Sequence, residues 1–432
     1  MNEKTRDVVI SAPGKAILHG EHAVVHGKVA LAVSLNLRTF LRLQTSSSGK
    51  VCINLPNIHT FLSWDLTLLQ PLLPENRGND GNVQELDPSL MKKLREFTGI
   101  AEGSTDTQSM AVFAFLYLYL SVFAKSPVLP SMTVAVWSEL PTGAGLGSSA
   151  AFCVCVAAAL LSTQGTISSP QILENSTARW SVEELELVNQ LAFQGEKIIH
   201  GNPSGVDNAV STWGGILRYH AGKMTPLERV PVLRILLTNT KVPRSTKTLV
   251  AGVKDKINKF PTILIPVLES VDAVSCKCEE ILADMATCSA TAEHYSMLEE
   301  LIDINQHHLN VMGVGHPSLD VLCRATLARG LHSKLTGAGG GGCGITLLRP
   351  ETDCCVIHST IQDLKAFSYE CWETSIGAPG VQLHSSAFIR RPYPEQLPKS
   401  FCLYSMDLLE FYVIYWTHLK HLLPVYSRPV LF

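Results

Sequence analysis

The sequence of 432 residues predicts an α+β protein with two domains and a further C-terminal segment. Strand-like and helical segments alternate, but not in the regular strand–helix–strand units that build a parallel sheet. Residues 223–231 form a polar, proline-containing break, and long helical patterns follow it. From about Ser385 the composition becomes aromatic and no longer continues the preceding pattern. We therefore predict domains at 1–228 and 229–384 and an atypical tail at 385–432.

Hydrophobic periodicity assigns the individual elements. Strands are predicted at residues 8–20 (two short strands around a Pro-Gly break), 30–44, 51–55, 132–137, 214–219, 234–238, 345–348, 369–374 and 381–384. Helices are predicted at residues 88–97, 108–124, 150–161, 181–200, 246–260, 263–285, 292–313, 317–329 and 356–367, with a short one from 206. Ser181 and Glu184 match the capping-box pattern at the start of one helix. Residues 64–82 and 165–178 are predicted loops.

Composition excludes several classes of protein. The net charge of −3 argues against a nucleic acid as the main partner, because phosphate binding usually requires a basic face. The apolar runs 110–124 and 150–161 fall short of the ~20 residues that span a bilayer, so both are predicted to be buried helices. Twelve cysteines without C-x-x-C spacing, and no apolar run in the first ten residues, favour free thiols in a reducing compartment such as the cytoplasm.

The most informative segment is the glycine loop within residues 139–151. Its glycines alternate at 143, 145 and 147, follow the predicted strand 132–137, and precede a helix that a serine is predicted to cap. Glycine permits positive φ and close approach of a ligand, and the first N–H groups of a helix attract anions. The loop is therefore a candidate phosphate cradle, although an ordinary turn has the same appearance. The chain contains no Walker A motif.

Three charged residues are further candidates. Lys15 follows a sharp Pro-Gly break that could aim it inward, although most lysines are solvated. Glu196 lies late in an apolar helix, where the helix dipole disfavours an acid. Glu196 and His200 share a face, but two ligands are too few for zinc, whereas magnesium held by one or two protein oxygens and phosphates needs less. Asp207 stands in a turn, where it could simply cap a helix.

A second glycine loop spans residues 337–344. Gly337, Gly339 and Gly342 formally match the dinucleotide-binding fingerprint, which requires a helix after the loop. Here a strand is predicted to follow, so the context argues against a dinucleotide site.

Three blocks together resemble the signature motifs of the GHMP small-molecule kinases. They are PGKAILHGEHAVVHG at 13–27, PTGAGLGSSAA at 141–151 and KLTGAGGGGCG at 334–344. Within that family, residues 20–27 and 195–208 resemble the animal-type members that phosphorylate mevalonate; the galactose-phosphorylating members would carry Thr-Asp after the Glu-His pair. The resemblance extends over residues 8–384. It implies an N-terminal domain like ribosomal S5 domain 2 and a ferredoxin-like C-terminal domain, with the active site between them.

The resemblance also implies roles for individual residues. Asp207 would accept the proton of the substrate hydroxyl and Lys15 would stabilise charge beside it. Ser149 and Glu196 would hold Mg²⁺, and Glu21, His22 and Thr246 would lie near mevalonate. The ATP-binding residues would be Lys15, Asn57, Ser138, Gly143, Ala144, Gly145, Leu146, Gly147, Ser148 and Ser149. The loop at 337–342 would close over the site.

The implied activity is phosphorylation of (R)-mevalonate by ATP to 5-phosphomevalonate, an early step of isoprenoid and sterol biosynthesis. Family members are commonly homodimers inhibited by prenyl diphosphates, and the cytoplasm and the peroxisome are the expected locations. Thr142 replaces a proline that many of these kinases carry, and the tail departs from the family's usual ending. The alternative hypotheses are a non-catalytic GHMP-fold ligand sensor and a kinase for another small alcohol.

Overall fold

The protein was analysed as a computed structural model, which describes residues 6–73, 85–170, 172 and 176–385. In this part of the chain thirteen strands form one mixed sheet. The strands are β1 (Asp7–His19), β2 (Ala30–Thr45), β3 (Lys50–Leu55), β4 (Thr60–Asp65), β5 (Met132–Ser138), β6 (Thr177–Ala178), β7 (Ile216–His220), β8 (Lys223–Pro226), β9 (Leu233–Asn239), β10 (Ser333–Leu335), β11 (Cys343–Leu348), β12 (Glu370–Ile376) and β13 (Gln382–His384).

Eleven α-helices accompany the sheet in the same residues. They are α1 (Leu66–Leu69), α2 (Pro88–Thr98), α3 (Thr107–Val122), α4 (Ser148–Gln164), α5 (Val182–His200), α6 (Val206–Trp213), α7 (Thr246–Lys259), α8 (Pro261–Thr287), α9 (Ala292–Met312), α10 (Pro317–Leu327) and α11 (Cys354–Lys365). The α+β fold class is thereby confirmed. The tail from residue 386 and part of the predicted loop at 64–82 lie outside the described residues.

The sheet runs without interruption from the first strands to the last. Its main path is β10-β11-β9-β12-β2-β1-β13-β6, and β2 also pairs with β5 and β7. Strand β12 joins β2 through the pair Ile376 and Leu35, while β13 lies antiparallel to β1. The predicted division between residues 228 and 229 falls between β8 and β9, and it stays a prediction.

The first strand differs from the sequence prediction of two short strands. Residues Asp7–His19 form one antiparallel strand beside β2, with a register shift between Pro13 and Gly14. A bulge of this kind absorbs the missing proline donor and re-aims the following side chains. The break that the sequence indicates is therefore a local kink inside a continuous strand, and it lies directly before Lys15.

Two more differences concern short elements. Residues Lys223–Pro226, which the sequence marks as a break, form strand β8 of a hairpin with β7. Strand β10 contains only three residues and was not predicted. Neither segment is long enough to establish a period of two, so only the tertiary partner defines it as a strand.

Two apolar helices occupy the centre of the N-terminal half. Ten of the sixteen residues of α3 and thirteen of the seventeen residues of α4 are buried, as predicted for the two apolar runs. The buried hydroxyl groups on α3 have partners: Tyr119 donates to the carbonyl of Pro130 at 2.8 Å, and Tyr117 accepts from the N–H of Asp87 at 2.7 Å. No helix in the described residues is long and apolar enough to cross a membrane. The eleven cysteines that the structure describes are all free thiols.

Candidate active site

The glycine loop joins β5 to α4 and ends at the N-terminus of a buried helix. Gly143, Gly145 and Gly147 all adopt positive φ, between 71° and 75°, which explains the alternating glycines. Helix α4 begins at Ser148, but its N-cap is Gly147 and no described side chain caps it. The predicted serine cap is therefore wrong. The first N–H groups of α4 lack a side-chain acceptor, which is the arrangement that binds phosphate at helix N-termini.

Lys15 and Asp207 form an ion pair against this loop. Lys15 Nζ lies 3.0 Å from Asp207 Oδ1, and the N–H of Lys15 donates to the carbonyl of Leu146 at 2.8 Å. A Cβ on Gly147 would lie 3.4 Å from Lys15 Cβ and 3.7 Å from Asp207 Oδ2. The Lys15 side chain is largely buried, whereas that of Asp207 is 35% exposed and can be reached by a ligand. The bulge in β1 thus places the lysine beside the loop.

Glu196 lies next to this pair on the buried face of α5. Its pKa is raised to about 7, mainly by burial and secondly by the negative charge of Asp207. A hydrogen bond from the Ser149 side chain and the charge of Lys15 oppose that shift. Ser149 Oγ also lies 3.0 Å from His200 Nε2. Two carboxylates and a hydroxyl thus converge at the start of α4.

This donor set fits a magnesium ion. Carboxylate and hydroxyl oxygens are the hard ligands that Mg²⁺ takes, with phosphate oxygens completing its shell. Glu196 is 3% exposed and close to a second carboxylate, so its environment has a deficit of positive charge that one divalent cation would correct. Ser149 and Glu196 are the residues that would hold the ion.

Asn57 and Ser138 are paired with each other at the edge of the same loop. Asn57 Nδ2 donates to the carbonyl of Ser138 at 2.9 Å, and the N–H of Ser138 donates to Asn57 Oδ1 at 2.8 Å. Ser138 Oγ lies 2.8 Å from Thr39 Oγ1. This reciprocal pair attaches the turn after β3 to the end of β5, where the polypeptide enters the glycine loop.

A substrate contact would suggest that the Glu21 side chain is exposed, but the structure buries it. Its side chain is fully buried in an ion pair with Lys334, which is also fully buried. Asn305 donates to the second carboxylate oxygen at 3.1 Å. Burial raises the pKa of Glu21, and Lys334 opposes that rise. Both oxygens of Glu21 are engaged by the protein.

His22 connects the first block to the second glycine loop. Its Nε2 lies 2.8 Å from the carbonyl oxygen of Ala338, and its backbone φ is 59°, a conformation that side-chain-bearing residues rarely adopt. The buried Nδ1 has no hydrogen-bond partner among the described residues. Beside it, Thr336 Oγ1 accepts from the N–H of Ile17 and donates to its carbonyl, both at 2.9 Å. The two blocks form one cross-linked unit.

Comparison with known proteins agrees with this arrangement. The family model of the GHMP kinases N terminal domain matches residues 110–215, and that of the GHMP kinases C terminal matches residues 288–353. The mevalonate kinase of Bos taurus is 59% identical over 380 residues, which cover 88% of this chain and 96% of that protein. That of Homo sapiens is 59% identical over 379 residues, covering 88% and 95%. The chain belongs to the mevalonate kinase family.

Solved structures of other kinases share this fold. The mevalonate kinase of Methanococcus jannaschii has a TM-score of 0.61 at 20% identity, covering 87% of this chain and 99% of that one. L. major mevalonate kinase in complex with R-mevalonate also scores 0.61 at 20% identity, covering 86% and 96%. A galactokinase of Lactococcus lactis, complexed with galactose, scores 0.54 at 17% identity over 88% and 95%. The fold alone therefore does not identify the phosphate acceptor.

Arg244 is one residue of the candidate site that sequence reasoning missed. Its Nη2 donates to the carbonyl of Ala144 at 2.7 Å in the first glycine loop. A Cβ on Gly342 would lie 1.8 Å from Arg244 Nη1, so the guanidinium also rests on the second glycine loop. Thr246, two residues later, is the exposed first residue of α7. No motif surrounds Arg244, and its only local signal is a cation directly before a serine-capped helix.

Proposed function

We infer that this chain transfers the terminal phosphoryl group of ATP to mevalonate, a reaction of isoprenoid biosynthesis. Membership of the mevalonate kinases identifies the reaction. Within this chain, the observation that best supports the reaction is the ion pair between Lys15 and Asp207, which packs against Gly147. This pair supports the proposal because a carboxylate and a cation lie together beside the start of α4, where we propose that the phosphate is held. We propose (R)-mevalonate as the acceptor, 5-phosphomevalonate as the product and sterols among the end products.

In the proposed mechanism Asp207 accepts the proton of the substrate hydroxyl. One carboxylate oxygen is held by Lys15 at 3.0 Å, and the other faces the glycine loop near Gly147. These contacts orient the carboxylate, which is the proton acceptor, before the substrate hydroxyl binds. Such prior orientation makes a general base effective. Lys15 stabilises the negative charge that develops beside it. Phosphoryl transfer requires little else from a protein than positioning and neutralisation of charge.

The phosphate groups of ATP are proposed to lie on residues 143–149, with Asn57 and Ser138 near the nucleoside. The loop N–H groups and the N-terminus of α4 bind the anion, and Arg244 fixes the loop through Ala144. We propose Mg²⁺ as the cofactor, held by Ser149 and Glu196. When bound, the ion neutralises phosphate charge during transfer. Chelation by EDTA is expected to abolish turnover, and added Mg²⁺ to restore it.

Three residues are proposed to serve mevalonate. The buried Nδ1 of His22 has no hydrogen-bond partner among the described residues, and this unsatisfied atom supports a substrate contact at His22. Thr246 is exposed at the start of α7, close to Arg244. Because the carboxylate of Glu21 is enclosed by Lys334 and Asn305, we propose that Glu21 acts by holding the His22 segment in place.

A coupled assay of ADP release tests the substrate. Mevalonate, phosphomevalonate, galactose and homoserine are offered side by side, and rapid turnover is expected with mevalonate alone. Turnover of another alcohol at a comparable kcat/KM would establish a different kinase. Nucleotide binding without turnover of any of the four would support a non-catalytic ligand sensor.

We further propose a homodimer, inhibition by prenyl diphosphates, and location in the cytoplasm and the peroxisome. Sedimentation tests the first, and a monomer at micromolar concentration would contradict it. Steady-state kinetics with farnesyl diphosphate test the second, with inorganic diphosphate as the control for charge alone. Imaging of the tagged full chain tests the third. The internal Ser333-Lys334-Leu335 tripeptide is buried in β10, so it offers no peroxisomal signal.

A further inference from the structure

Ser149 has two neighbours at the end of α5. Its oxygen lies 3.0 Å from His200 Nε2, and its hydroxyl is near enough to the Glu196 carboxylate to oppose the rise in the pKa of that group. Glu196 and His200 are one turn apart, so both project toward the same point of α4. His200 is exposed at the C-terminal end of α5, while Glu196 is buried. The Ser149 hydroxyl therefore lies between the buried carboxylate of Glu196 and the exposed ring of His200.

The donor and acceptor capacity of these groups determines the direction of the two bonds. A serine hydroxyl has one proton and two lone pairs, and an ionised carboxylate can only accept. With Glu196 ionised, the Ser149 proton is directed to the carboxylate. His200 must then donate its Nε2–H to the Ser149 oxygen. The histidine holds the hydroxyl in the rotamer that faces Glu196 and leaves one lone pair of the oxygen for a ligand.

We propose that His200 is a positioning residue for the metal site, an inference that rests on the magnesium ion of the proposed function. By fixing the Ser149 hydroxyl beside Glu196, His200 keeps two oxygen ligands aimed at one cation before the cation arrives. Groups that orient metal ligands typically change metal affinity by 10- to 100-fold when they are removed. Among the described residues the His200 ring is hydrogen-bonded to Ser149 alone, and the residue is exposed, so we expect a substitution there to preserve the fold.

Binding of Mn²⁺ in the presence of a non-hydrolysable ATP analogue tests this role without relying on turnover. The free Mn²⁺ signal in electron paramagnetic resonance is titrated with wild type, His200→Ala, His200→Gln, Ser149→Ala, Glu196→Gln and the double variant that combines His200→Ala with Ser149→Ala. We expect His200→Ala to weaken Mn²⁺ binding about tenfold. His200→Gln, whose amide can still donate, is expected to recover most of the affinity. The double variant is expected to bind no more weakly than Ser149→Ala alone, because His200 acts through that hydroxyl.

Two results would overturn the inference in distinguishable ways. If Ser149→Ala and Glu196→Gln weaken Mn²⁺ binding but His200→Ala does not, or if the His200 and Ser149 losses add, the metal site stands and the positioning role is wrong. If neither Ser149→Ala nor Glu196→Gln changes Mn²⁺ binding, the proposed metal site fails and the role of His200 fails with it. Thermal unfolding of each variant checks that the fold is intact.

Discussion

The two glycine loops have similar sequences but use glycine for different reasons. In the first loop, a Cβ added to Gly143 would have no described atom within 4 Å, and at Gly147 the nearest contact would be an ordinary 3.4 Å. In the second loop, a Cβ on Gly339 would lie 2.2 Å from a backbone oxygen, and one on Gly342 would lie 1.8 Å from Arg244. The first loop leaves space for a ligand at Gly143 and Gly147, although a Cβ on Gly145 would lie 2.5 Å from Arg244 Nη2. The second loop is closely packed at Gly339 and Gly342 and has open space only at its first glycine, Gly337, among the described residues. Substitutions in the two regions should therefore fail in different ways.

The largest effect is expected where the open loop meets the ion pair. Asp207→Ala should lower kcat by roughly 100- to 10,000-fold, the range for general acid–base groups, with a modest change in KM. Steady-state kinetics with varied mevalonate provide the measurement. Asp363→Ala is the matched control. It removes an exposed carboxylate of α11 that is paired with Arg329, and it should leave kcat unchanged. Near-normal turnover of Asp207→Ala would contradict the role of Asp207 as proton acceptor and the assignment of the first glycine loop to the active site.

The next largest effect concerns the stability of the buried ion pair between Glu21 and Lys334, which lies just before the second glycine loop in sequence. Glu21→Gln leaves Lys334 as a buried cation without a counter-ion, and breaking such a pair typically costs about 3–5 kcal/mol. Urea denaturation should register this loss in the free energy of unfolding. Glu370→Gln breaks the exposed Lys241–Glu370 pair, which should contribute at most about 1 kcal/mol. Equal losses of unfolding free energy in the two variants would contradict the conclusion that the buried Glu21–Lys334 pair stabilises the fold more than the exposed pair does.

A direct test of close packing uses two glycines with the same backbone conformation. Gly342 has φ 71° and Gly99 has φ 69°, but only Gly342 would bring a Cβ against another residue. Gly99→Ala should cost about 1–2 kcal/mol, the penalty of a left-handed conformation. Gly342→Ala should cost about 1–3 kcal/mol more, because Arg244 must move aside. Equal costs in urea denaturation would mean that the second loop adjusts freely.

The smallest expected effect on stability accompanies a change in ligand binding. Gly143 has φ 71° and open space around it, so Gly143→Ala should destabilise the protein only as much as Gly99→Ala does. A methyl group in the phosphate cradle should nevertheless raise KM for ATP, on the order of tenfold if one close contact of about 1.4 kcal/mol is lost. Gly99→Ala should leave KM for ATP unchanged. An unaltered KM in Gly143→Ala would show that the first loop does not hold the phosphates.

The sequence was sufficient for the parts of the site that lie in continuous motifs. The loop at 143–147, the kink before Lys15 and the short helix carrying Asp207 each have a local signal, so their elements could be predicted. The Lys15–Asp207 contact itself came only from the family resemblance. Arg244 and Asn305 lack any surrounding pattern, since their importance arises only when distant elements pack. The continuity of β1 and the existence of β10 depend in the same way on partner strands.

The enclosed pair of Glu21 and Lys334 has a consequence for biosynthesis. The two residues are separated by 313 positions in the chain. At translation rates of ~5–20 residues per second, Lys334 is added roughly 16–60 seconds after Glu21. During that interval an ionised Glu21 has no Lys334 to offset the cost of burial, which favours a hydrated segment after β1. The segment that carries Glu21 therefore reaches its enclosed arrangement only after the strand that carries Lys334 has been synthesised.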